Sequence, residues 1–92
     1  MEYIKADDMA VVFAETRQPP ADFILTYEFC HSVIDGRDAY HILVSKDEEG
    51  EKESAFAYDV SSSVTEARRI FDYIADGTVT PMTFYEVLDD IL

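Results

Sequence analysis

From Asp22 to Ile34 apolar and polar residues alternate. Phe23, Leu25, Tyr27, Phe29, His31 and Val33 fall on one parity, and Asp22, Ile24, Thr26, Glu28, Cys30, Ser32 and Ile34 on the other. Successive side chains of a strand point to opposite faces, so the segment predicts a half-buried strand. Asp35-Gly36 follows, the favoured central pair of a type I′ hairpin turn, where both residues need positive φ. Arg37–Val44 then returns as a second strand. That turn pairs Ile34 with Arg37, His31 with Tyr40, Cys30 with His41, Phe29 with Ile42 and Tyr27 with Val44. A slip of one residue would scramble both faces.

The next turn admits two registers. A two-residue loop at Glu49-Gly50 places Ala55 and Ala57 on the core face and exposes Phe56, Tyr58 and Val60. A three-residue loop, Glu48-Glu49-Gly50 with Gly50 left-handed at a bulge, pairs Ile42 with Phe56 and Tyr40 with Tyr58. The second keeps the large residues together and is the expected one, although it sets Lys46 opposite Lys52. The resulting apolar face comprises Phe23, Leu25, Tyr27, Phe29, Val33, Tyr40, Ile42, Val44, Phe56, Tyr58 and Val60, and it needs a cover.

Two helices follow. Ser63-Val64-Thr65-Glu66 reads as a capping box, and Val64, Ala67, Ile70, Phe71 and Ile74 recur at helical spacing. Gly77 is placed for a left-handed end. Thr80-Pro81 is expected to open a second helix as N-cap and first residue, with Phe84, Val87, Leu88 and Ile91 as its stripe. Before the meander, Gln18-Pro19-Pro20 is a break. Met9–Glu15 is apolar on both sides, and its β-branched content predicts a strand rather than a short helix capped by Asp7 and Asp8. The expected fold class is α+β: an antiparallel β-meander of three strands plus an N-terminal strand, with two C-terminal α-helices packed on one face. A chain of 92 residues makes one domain: an arm at 1–20, the meander at 22–60 and the helices at 63–92.

Charge narrows the partners. Twenty Asp and Glu against seven Lys and Arg give −13, which opposes electrostatic binding to nucleic acid or anionic membrane. The net charges of residues 1–34, 35–60 and 61–92 are −4, −5 and −4, so there is no acidic tail. A single cysteine precludes an internal disulfide. The acidic N-terminus does not read as a signal peptide, and the longest apolar run, Met9–Ala14, is far below the ~20 residues of a membrane span. A soluble cytoplasmic protein is expected.

Little in the chain suggests chemistry. Cys30 and His41 are the weak catalytic candidates: they face each other on the outer side of the sheet, with Glu28 two residues along, and a Cys–His–carboxylate set can activate a thiolate. Against this, Cys30 is a small apolar residue, and neither a helix N-terminus nor a concave surface is predicted beside it. No cofactor site and no metal site is expected. His31 and His41 point to opposite faces, His31 reading as a core-edge residue bonded to a tyrosine hydroxyl or a backbone group. Asp72/Asp76 and Glu86/Asp90 read as solvated helix faces, with Arg68-Arg69 pairing to Asp72 and Asp76. Residues 47–53 read as a solvated turn, since they lack the alternating oxygen ligands of a calcium loop. All three glycines serve turns or a cap, so there is no phosphate cradle.

The strand Tyr40-His41-Ile42-Leu43-Val44, the exit Tyr58-Asp59-Val60-Ser61 and the closing run Val79–Leu92 resemble an uncharacterised family of short, acidic bacterial proteins, a domain of unknown function. The likeness covers about residues 22–92 and leaves the arm out. It implies a bacterial cytoplasmic protein and carries no activity or functional residue with it. The function expected is a small non-catalytic module that binds an unknown protein partner or itself, a homodimer included. Its support is the mixed outer face, where Ile24, Ile34, Leu43, Ala55 and Ala57 stand among polar residues. An acidic decoy that imitates DNA before a basic partner comes second, and a small Cys30/His41 enzyme third.

Overall fold

The computed structural model describes residues 9–19 and 22–92. The readings made on residues 1–8, the absence of a signal peptide and the Asp7/Asp8 cap, lie outside them. The order is β1 (Ala10–Arg17), β2 (Ile24–Ile34), β3 (Arg37–Glu48), β4 (Glu51–Ser61), α1 (Val64–Asp76) and α2 (Phe84–Ile91). Among the described residues the strands form one antiparallel sheet in chain order, β1-β2-β3-β4. This is the expected α+β fold, and the arm supplies a strand beside β2, not a helix.

The first hairpin has the expected register, with Ile34 against Arg37, Cys30 against His41 and Phe29 against Ile42. Asp35 and Gly36 take φ of 51° and 80°, as a type I′ turn demands. The second hairpin overturns the three-residue loop. Glu48 pairs with Glu51, so the loop is Glu49-Gly50, and both residues have positive φ, 52° and 85°. Two physical reasons favour it. Lys46 now faces Glu53 and Asp47 faces Lys52, replacing the lysine pair with opposite charges. Ala55 and Ala57 turn inward, opposite Val44 and Ile42, and these small side chains sit in one core with Ala67, Ile70, Phe71 and Ile74 of α1. A helix can therefore lie close over β4. Phe56 and Tyr58 leave the predicted core, Tyr58 being exposed.

The rest of the core follows the pattern. Leu25, Tyr27, Phe29, Ile42 and Val44 are buried beneath Phe71, Ile74, Phe84 and Leu88, and the Phe71 ring meets Phe29 edge-on at 5.5 Å. Val33 and Val64 depart from it, lying exposed at element ends.

Ser63 caps α1 by accepting the Glu66 N–H at 3.3 Å. The Glu66 carboxylate turns to Arg69 instead, at 2.7 Å. The left-handed residue at the end of α1 is Thr78 (φ 49°), not Gly77 (φ −81°). Thr78 N–H donates to Ala75 and Val79 N–H to Ile74, the two bonds of a Schellman ending shifted one residue beyond the glycine. Thr80-Pro81 opens a turn, Thr83 N–H donating to the Thr80 carbonyl. So α2 begins at Phe84 with Thr83 as N-cap, three residues later than Pro81 suggested.

Two tyrosines tie the layers together. Buried Tyr27 on β2 donates its hydroxyl to the Val79 carbonyl in the helix link at 2.8 Å. The Tyr85 hydroxyl of α2 accepts the Phe56 N–H at 3.2 Å and donates to the Phe56 carbonyl at 3.1 Å. It thus occupies backbone groups that a border strand would otherwise offer to another chain. Among the described residues no helix is long and apolar enough to cross a membrane.

Candidate functional site

The outer face of the sheet brings Cys30 and His41 opposite each other, as the register predicts. Both are fully buried. What surrounds His41 comes from a distortion of β4. Ile42 pairs with Ala57, but Tyr40 pairs with Ser61, so Tyr58, Asp59 and Val60 all lie against the single residue His41. Such an insertion bends a strand and re-aims its side chains. Asp59 is held at φ 56°, a left-handed conformation that non-glycine residues seldom adopt.

The bulge closes around the imidazole. The Asp59 backbone N–H donates to His41 Nδ1 at 2.7 Å. His41 Nε2 lies 2.7 Å from Ser32 Oγ. The Tyr58 ring stacks on the imidazole at 4.5 Å and 11°, and Phe56 approaches at 5.9 Å. The Asp59 carboxylate takes two hydrogen bonds from Arg37 at 3.1 and 2.6 Å.

These contacts fix the chemistry. A nitrogen that accepts from an amide carries a lone pair, so Nδ1 is unprotonated. The proton of the neutral ring is on Nε2 and is donated to Ser32 Oγ. Burial lowers the His41 pKa, against a smaller opposing pull from Asp59, so the neutral form is favoured. The Arg37 hydrogen bonds lower the Asp59 pKa, and Asp59 raises that of Arg37.

Ser32, His41 and Asp59 have the membership of a hydrolytic triad with its polarity reversed. In a triad Nδ1–H donates a hydrogen bond to the carboxylate, and Nε2 presents a lone pair to the nucleophile. Here Asp59 offers a backbone donor, and Nε2 presents a proton. Neither nitrogen is left to deprotonate Cys30 or Ser32. Ser32 and Asp59 are members of the site that the residue pattern did not single out. Ser32 was within reach, since it shares the face of Cys30. Asp59 was not, because only the bulge brings its amide to His41.

The other candidates serve structure. His31 bonds to Asp38 at 2.9 Å, not to a tyrosine hydroxyl or the backbone, and its ring lies 5.1 Å from Tyr40. Arg68 pairs with Asp72 at 3.1 Å, as expected, while Arg69 turns to Glu66 and Asp76 meets Arg17 at 3.4 Å. Asp47 accepts the Gly50 N–H at 3.2 Å, closing the acidic turn. Among the described residues no three His, Cys, Asp or Glu side chains are grouped to hold a metal ion. The apolar members expected on the outer face are redistributed. Ala55 and Ala57 belong to the core, Leu43 is buried, and Ile24 remains exposed.

A family model described as a family of unknown function (DUF6514) matches residues 10–92, reaching through β1 beyond the 22–92 span of the sequence resemblance. No curated protein matches the chain, and no solved structure does.

Proposed function

The chain belongs to this family of unknown function, and on that footing we propose that it is a non-catalytic module that binds another protein. One observation carries the reading: both ring nitrogens of His41 are committed to hydrogen bonds within the chain. The group best placed to act as a base is therefore a structural one. What it supports faces outward. The buried imidazole backs the exposed Tyr58 ring, with Phe56 alongside and the Arg37–Asp59 pair at the margin. An aromatic side chain already held in one orientation loses little entropy on binding, and such residues dominate protein interfaces. A charge of −13 per chain favours a cationic partner surface over a second acidic copy.

The reading is tested by retention of host proteins on the immobilised wild-type chain and on Tyr58→Ser, over a salt series. A discrete partner with a basic surface, held by the wild type, released by salt and lost with Tyr58→Ser, supports it. Equal retention by the two chains removes Tyr58 from the surface. Rapid alkylation of Cys30 in the native protein at neutral pH would overturn the non-catalytic reading.

A further inference from the structure

The His41 clamp has a property that does not depend on binding. Nδ1 and the Asp59 amide are 2.7 Å apart with one proton between them. A proton added at Nδ1 sets two donors face to face, and the contact cannot persist. Asp59 is already in a left-handed conformation that its side chain disfavours, so its peptide relaxes once released. The same peptide positions the Tyr58 ring on one side and the Arg37–Asp59 pair on the other. We propose that the β4 bulge at Tyr58–Val60 is a pH-sensitive element, closed on neutral His41 and opened locally when His41 is protonated.

The groups around His41 decide how far acid must go. On β2, Cys30 stands opposite, Glu28 lies two residues along the same face, and His31 is adjacent. From β4 come Tyr58 and Asp59, and from β3 comes Arg37, bound to Asp59. Burial and His31 oppose the imidazolium, and the Asp59 carboxylate favours it. That carboxylate is also its natural acceptor once the amide withdraws, because it belongs to the same residue. Opening therefore exchanges a backbone donor for a side-chain acceptor at Nδ1 and weakens the hold of Arg37.

The test is a titration of the full chain from pH 8 to pH 4.5 by NMR. It follows the His41 ring carbons, the Asp59 and Tyr58 amides, and the amides of Phe29 and Ile42 as reporters of the core. The expected result is that the Asp59 amide shifts with the His41 midpoint and its exchange protection falls at least tenfold. Phe29 and Ile42 stay protected. In His41→Asn the side-chain oxygen can take the place of Nδ1 without titrating, and the Asp59 amide should remain protected throughout. Titration of His41 with no change at Asp59 would overturn the proposal. So would loss of Asp59 protection only together with Phe29 and Ile42, which is global unfolding. The wild-type titration decides the matter even if His41→Asn fails to fold.

Discussion

Tyr27→Phe isolates the hydrogen bond between the middle of the sheet and the link joining the helices. The phenol donates to the Val79 carbonyl at 2.8 Å, with Tyr27 fully buried and Val79 8% exposed. Phenylalanine keeps the ring and its packing, and removes only the donor. The carbonyl is then left without that partner in a place poor in water, which costs about 1–3 kcal/mol. With about 2 kcal/mol as the central value, the melting temperature of a domain this size falls by roughly 10 °C. Urea denaturation should show a lower midpoint at an unchanged slope, since the surface exposed on unfolding is the same. The alkaline limb gives an independent reading. Burial pushes the Tyr27 pKa up to about 12, against the pull of Arg17, while the unfolded chain ionises near 10. Between those values the unfolded state binds fewer protons than the folded state, so stability declines as pH rises. The slope is about 1.4 kcal/mol per pH unit. Tyr27→Phe should lack that contribution. A loss below about 0.5 kcal/mol would refute the buried hydrogen bond, and an alkaline slope identical to that of the wild type would refute the burial of the phenol.

Four further outcomes are expected. Thr78→Gly should stabilise the fold by about 0.5–1 kcal/mol in thermal unfolding, because a β-branched residue at φ 49° is replaced by one suited to that conformation. Glu49→Asn should stabilise the fold by about 0.5 kcal/mol, seen as a higher urea midpoint at unchanged slope, since asparagine before glycine suits a type I′ turn. Tyr85→Phe should leave the helices folded, yet speed exchange of the Phe56 amide several-fold, as the edge groups pass to water. Wild-type stability should fall as pH drops below about 6.5. There His41 of the unfolded chain is protonated while folded His41, its pKa lowered by burial, is not. His41→Asn should be flatter in the same window.

The sequence revealed the first hairpin fully, because Asp35-Gly36 fixes a turn and only one register then keeps Phe29 against Ile42. It was less informative about the second, and the failure is instructive. Grouping Phe56 and Tyr58 with the core treated size as the deciding quantity. The fold instead places Ala55 and Ala57 beneath α1 and spends the aromatic rings on the outer face around His41. The charge pattern opposite Lys46 held the correct answer. Of the candidate site, the pairing of Cys30 with His41 was legible from parity. Its chemistry was not, because the reversed hydrogen-bond polarity depends on a backbone amide that a bulge delivers, and no side-chain pattern announces a bulge at Asp59.

The strand order follows the chain, and two of its three connections are turns of two residues. This has a consequence for how the molecule assembles. Each of those pairings forms from neighbours in sequence, so the sheet can grow outward from Asp35-Gly36 with little loop entropy lost at each step. The helices come last in the chain, and their docking requires the longest closures, Tyr27 to Val79 spanning 52 residues. The expected transition state is a partly zipped sheet awaiting its cover, with substitutions in β2 and β3 slowing folding and those in α2 mainly hastening unfolding.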